Sequence, residues 1–178
     1  VDIQHFRVKL FATPDSRPHL AAAIPVFHRW IQQNRLPETA IDVSDYEHVP
    51  EGPGIILVCH EAIYGLDQGK GRLGLLYNRR TVLNGSPEAR LLQAVNAAEF
   101  AAGLLEQEPE FAGHLRFDRN QWEVAVNDRA LAPNTEATWD SLSPVIRSTF
   151  DSVIGAGRYT LQRNSDPREL LQVIVSGS

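Results

Sequence analysis

Asp42, Ser44, Tyr46 and His48 stand two residues apart, and His60 and Tyr64 follow at even positions of the next apolar segment. Side chains of a β-strand return to one face every second residue, so two strands folded on Pro50-Glu51-Gly52-Pro53-Gly54 would gather all six on one surface. With Val49 paired to Ile55, Ser44 faces His60, Tyr46 faces Val58, His48 faces Ile56 and Asp42 faces Ala62. Ile41, Val43, Ile55, Leu57, Cys59 and Ile63 then take the other face, and a slip of one residue is disfavoured because it would expose them.

The chemistry open to such a face is proton transfer or ligand binding. An imidazole at His60, beside Ser44 and diagonal to Asp42 and Tyr46, would hold a proton near neutral pH. A transition-metal site built on His48 and His60, with Asp42 or Glu61, lacks any HxH, HExxH or CxxC framework to bring ligands to the roughly 2.0 to 2.2 Å that zinc requires. Ser44, His60 and Asp42 have the composition of a hydrolase triad, but the serine lies within a strand and the chain has no G-x-S-x-G elbow. Gly69-Lys70-Gly71-Arg72 could form an anion-binding concavity from backbone N–H groups, yet it lacks P-loop spacing and a following helix, so a hairpin loop with solvated charges is expected.

The row of His and Tyr is joined by Ile56 and Val58, more apolar than a face meant only for water. The expectation is therefore a noncatalytic binding or assembly module that uses Asp42, Ser44, Tyr46, His48, His60 and Tyr64 to receive a small ligand, a protein partner or a second copy of itself as a homodimer. The alternative is a small-molecule enzyme with His60 as acid–base and Asp42 and Tyr46 in support, metal-assisted through His48 and His60. Nothing in the sequence names a cofactor.

These residues need elements to hold them. The segment 4–12 alternates Phe6, Val8 and Leu10 against His5, Arg7 and Lys9, a strand with one face in the core and one in water. Leu20, Ile24, Phe27, Trp30 and Ile31 recur at helical spacing over 18–34, with Pro25 either kinking the helix or opening a shorter one. Three antiparallel strands follow, over 41–49, 55–64 and 73–82. Ser86-Pro87-Glu88 opens a helix to about Gln107, with Leu91, Leu92, Val95, Ala98, Ala102 and Leu105 on its apolar side. A short hairpin is expected over 115–127, and Asn134-Thr135-Glu136 starts a helix that should break at Pro144. Two last strands, 158–163 and 170–175, pair across Asn164-Ser165-Asp166-Pro167.

Runs of antiparallel strands interspersed with about three helices predict an α+β fold, mostly antiparallel, with the helices on one face of the sheet and a single domain over 1–178. At 178 residues, 43% hydrophobic and 22% charged, the chain can bury roughly 70% of its unfolded surface. No apolar run approaches the roughly 18 residues of a membrane span. A net charge of −5 with dispersed basic residues speaks against nucleic acid. The one cysteine, Cys59, reads as a buried inert thiol, and with no internal disulfide available the chain is expected to be cytoplasmic. Asn84-Gly85-Ser86 matches a glycosylation sequon but reads as a turn before a helix cap.

Overall fold

In a computed structural model that describes residues 2–178, Phe6, Val8 and Leu10 are buried on one side of the first strand, as their alternation requires. The strands are β1 (Phe6–Ala12), β2 (Ala40–Tyr46), β3 (Gly54–Cys59), β4 (Ala62–Asp67), β5 (Gly74–Arg79), β6 (Phe117–Val126), β7 (Tyr159–Arg163) and β8 (Gln172–Gly177). They form one antiparallel sheet in the order β2-β3-β4-β5-β1-β6-β8-β7. Three helices, α1 (Ala23–Gln33), α2 (Pro87–Gln107) and α3 (Glu136–Phe150), cover its apolar face, α1 over β2 and β3 and α2 over β1, β5 and β6. The fold is α+β, and its core is one continuous cluster. No helix among the described residues is long and apolar enough to cross a membrane.

Helix ends follow from local chemistry. Ser86 caps α2, its Oγ accepting from Ala89 N at 3.1 Å, and Pro87 takes the first position, where its missing N–H costs nothing. Pro25 falls in the first turn of α1, again among donors that have no partner within the helix. Alanines 94, 97, 98, 101 and 102 are buried and let α2 lie close to the sheet.

Four expectations need correction. The segment 55–64 is not one strand: a two-residue turn at His60 and Glu61 divides it into β3 and β4, so four strands lie between Ala40 and Arg79. The turn carries no Gly, Asn or Asp. Contacts from outside the segment hold it: Thr39 N and Oγ1 donate to the Glu61 carboxylate at 2.8 and 3.1 Å, His60 N donates to Thr39 O, and Arg80 N donates to Glu61 O. The hairpin expected over 115–127 is the single strand β6, whose extra residues between Phe117 and Trp122 are absorbed as a bulge against β1. Helix α3 runs through Pro144 unbroken, because Pro144 and Asp140, whose carbonyl loses its donor, both face solvent. Finally, the polar side of β1 is not in water, since Lys9 is 4% exposed.

Candidate functional site

The six residues singled out from the sequence do not converge. Tyr46 pairs with Gly54, Ser44 with Ile56 and Asp42 with Val58, because residues 47–53 form successive turns, with Val49 N on Tyr46 O and Gly52 N on Val49 O, in place of ladder. Pro50 and Pro53 have no N–H to give a ladder. The offset from the expected pairing is even, so parity holds: Asp42, Ser44 and Tyr46 share the open face with Ile56 and Val58, opposite Val43, Leu57 and Cys59. His48 sits in the turn before β3 and His60 in the turn after it. A six-residue strand of about 20 Å lies between them, too far for one metal ion. It equally keeps His60 away from Tyr46.

Tyr64 lies on the buried face. Its hydroxyl donates to Glu38 Oε2 at 2.8 Å, and Tyr77 donates to Glu38 Oε1 at 3.2 Å while Gln93 Nε2 donates to Tyr77 at 3.0 Å. Burial, then the Glu38 carboxylate, push the Tyr64 hydroxyl far up. Cys59 is buried beside them and its thiol is pushed up to about 12, chiefly by burial with Glu38 and Glu61 adding to it, so it is an inert group at neutral pH.

The converging groups lie on the other half of the open face. Leu76, Lys9, Glu123, Ile174 and Gln162 are consecutive partners across β5, β1, β6, β8 and β7 and form one transverse row. Arg7 and Gln172 belong to the next row. Over these rows folds the β4–β5 connection, residues 68–73, which walls one side of a half-open cavity of about 480 Å³.

Two contacts pin that loop. Lys9 Nζ donates to Asp67 Oδ2 at 2.6 Å, with side-chain exposures of 5% and 12%, and the same oxygen accepts from Gly69 N at 3.0 Å. Lys9 reaches Asp67 on β4 by passing over β5 at Gly74, where a Cβ would stand 2.9 Å from the lysine chain and 2.7 Å from Leu10 O. At the loop tip Lys70 adopts a left-handed φ of 58° between two glycines, and its Nζ donates to Gln172 Oε1 at 2.8 Å. Gln172 is on β8, three strands beyond β5, or about 14 Å at ordinary strand spacing. The loop therefore lies across the sheet instead of extending from its end.

Charge in the cavity is unbalanced. Lys9 and Asp67 neutralise each other, and Arg163 at the rim is paired with Glu136. Among the described residues, Arg7 has only Glu123, at 3.9 Å, and its buried Nε has no hydrogen-bond partner. Lys70 meets a neutral amide, and Arg72 lies with its guanidinium carbon 3.4 Å from the Phe11 ring centroid. Among the described residues neither has a carboxylate at ion-pair distance; burial draws the Arg72 guanidinium down from its ordinary value, against the opposing pull of Glu123 and Asp118.

A second hollow of about 810 Å³ lies between residues 34–37 and α2, lined by Leu36, Leu92, Gln93 and Phe100; it is more open and gathers one charged side chain, Arg35. Glu38, Arg7, Lys9, Lys70 and Arg72 were not singled out as site residues, although the loop containing Lys70 and Arg72 stood out by composition. Two basic residues on each of β1 and the 68–73 loop were the available signal, and it becomes legible only when the loop is known to fold back. The chain matches no family model, no curated protein and no solved structure, so the chemistry of the site rests on its own side chains.

Proposed function

We propose that this protein is a noncatalytic binding module that receives a small ligand on the open face of its sheet, in the cavity under the β4–β5 loop. The observation that carries this reading is the partial enclosure: a loop held at both its base and its tip overhangs a half-open cavity of about 480 Å³. That lies within the range of roughly 300 to 1,000 Å³ usual for small-molecule sites. A flat interface for a protein partner would not be overhung.

The lining supports binding over catalysis. It is made of guanidinium, ammonium, carboxylate, amide and apolar side chains, with no His, Cys, Ser or Tyr among the described residues around it. Arg and Lys remain charged near neutral pH and serve to hold charge in place more readily than to pass protons.

Amide NMR of the 15N-labelled chain against a library of small polar and charged molecules tests the reading. Resonance changes should concentrate at Arg7, Lys70, Leu76 and Ile174, with every bound compound recovered chemically unchanged. Saturable changes confined to the α2 hollow or to the β2 edge, or conversion of a bound compound, would overturn it.

A further inference from the structure

We infer that the ligand is a small organic oxyanion, a carboxylate or phosphate monoester borne on a planar or apolar body; this rests on the cavity being the binding site. Three cations line the cavity against one free carboxylate: Lys70, bonded to a neutral amide, and Arg72, stacked on a ring, have none at ion-pair distance among the described residues, and Arg7 has Glu123 at 3.9 Å. They do so in a chain whose net charge is −5, so the positive field belongs to this site and not to the molecule.

The geometry of the donors suits oxygen anions. A guanidinium presents paired N–H groups that match the two oxygens of a carboxylate or phosphate. Arg72 is held flat by Phe11, so little freedom remains to be lost when it binds. Arg7 carries a buried Nε–H that has no acceptor among the described residues, and in native structures such groups are normally satisfied. An oxyanion at the cation-lined wall offsets the charge, and rotation of the Arg7 guanidinium toward it would give the Nε–H an acceptor.

Leu76 and Ile174 offer apolar surface in the transverse row, on either side of Lys9 and Glu123. A bare inorganic ion would leave this surface and most of the volume empty, whereas an aromatic or aliphatic body fills it. The loop argues against a polymer: a nucleic-acid strand needs a groove open along its length, and the loop crosses the sheet and bonds to β8 through Lys70 and Gln172. Lys9 is a positioning residue in this scheme, since Asp67 already takes its charge. Glu123 competes with the ligand for Arg7.

Calorimetric titration of the full chain decides between outcomes, using benzoate, phenyl phosphate, inorganic phosphate, neutral benzamide and cationic benzamidine as probes. Benzoate or phenyl phosphate should bind at least tenfold more tightly than benzamide or inorganic phosphate, and affinity should fall with salt. Which of the two binds better separates a carboxylate from a phosphate ligand. Arg72→Gln should weaken binding by about tenfold to a hundredfold, the loss of one charge-assisted contact, while the denaturation midpoint falls only slightly through the lost stack on Phe11. Arg7→Gln should weaken it similarly, and Glu123→Gln should tighten it.

Benzamide or benzamidine binding as tightly as benzoate, with resonance changes at Leu76 and Ile174, would overturn the oxyanion while leaving the cavity as the site. Inorganic phosphate binding as tightly as phenyl phosphate would overturn the organic body. Unchanged benzoate affinity in both arginine variants, or no binding by any probe at millimolar concentration, would remove the inference; only the library screen that finds no ligand in the cavity removes the site itself.

Discussion

Lys9→Met is the most informative single perturbation, because it separates holding the loop from holding a ligand. Methionine keeps the length and most of the apolar volume of the lysine chain but removes the ammonium. Asp67 would then be left 12% exposed with only the Gly69 N–H at 3.0 Å as partner. Removing one member of a buried ion pair typically costs about 3–5 kcal/mol, since the remaining charge is stranded. In a chain of this size 1 kcal/mol shifts the melting temperature by about 2–4 °C, so the midpoint should fall by roughly 6–20 °C. Asp67→Leu should cost a similar amount by stranding Lys9. The double variant Lys9→Met/Asp67→Leu should recover to within about 1 kcal/mol of the parent, as an apolar pair of similar volume leaves no charge behind. Urea denaturation of all four proteins gives the cycle, with equal m-values as the check that one transition is being compared. A loss below 1 kcal/mol in either single variant, or a double variant that loses the sum of the two, would show that the pair does not clamp the loop.

Glu38→Ala should destabilise by about 1–3 kcal/mol through the stranded Tyr64 hydroxyl, Tyr77 being left with Gln93, and Glu38→Gln should cost less because it keeps an acceptor; denaturant midpoints measure both. Gly74→Ala should destabilise as well and loosen the loop, visible as faster amide exchange at residues 68–73, because its Cβ meets Leu10 O at 2.7 Å and the Lys9 chain at 2.9 Å. Above pH 9 stability should decline: Cys59 is raised from 9.0 to about 12 in the folded chain by burial, and Tyr64 and Tyr77 are raised too, first by burial. Their contribution is whole below the unfolded values and is lost as pH rises towards the folded ones, since the unfolded chain releases protons that the folded chain keeps. The denaturation midpoint should therefore fall from pH 9 upward, while the native thiol stays unreactive to an aromatic disulfide reagent at pH 8; equal reaction rates for native and denatured protein would count against the burial.

Features that depend on residues within a few positions of one another were legible in the sequence. Helix α2 begins at Ser86-Pro87 and ends at Gln107 because its cap and its apolar spacing are both local. The two faces of β2 and β3 were legible for the same reason: alternation assigns Asp42 and Ser44 to one side and Val43 and Leu57 to the other, and an even offset in pairing leaves that assignment intact. From such periods the α+β class and a helix layer on one side of the sheet followed.

Register, turns without turn residues, and the site itself were decided only by the tertiary structure. The break at His60 and Glu61 depends on Thr39, twenty-odd residues away, so no local composition announces it. The path of β6 through a bulge is set by its pairing with β1, about 110 residues earlier in the chain. Lys9 alternates like a solvent-facing residue and is nevertheless buried, because its charge is matched by Asp67, 58 residues on, across a gap that Gly74 leaves open. Lys70 and Gln172, separated by 102 positions, tie the loop across the sheet. Periodicity states which side of a strand a residue takes, but whether that side meets water or a folded-back loop depends on long-range contacts, whose free energy exists only once the sheet has been assembled.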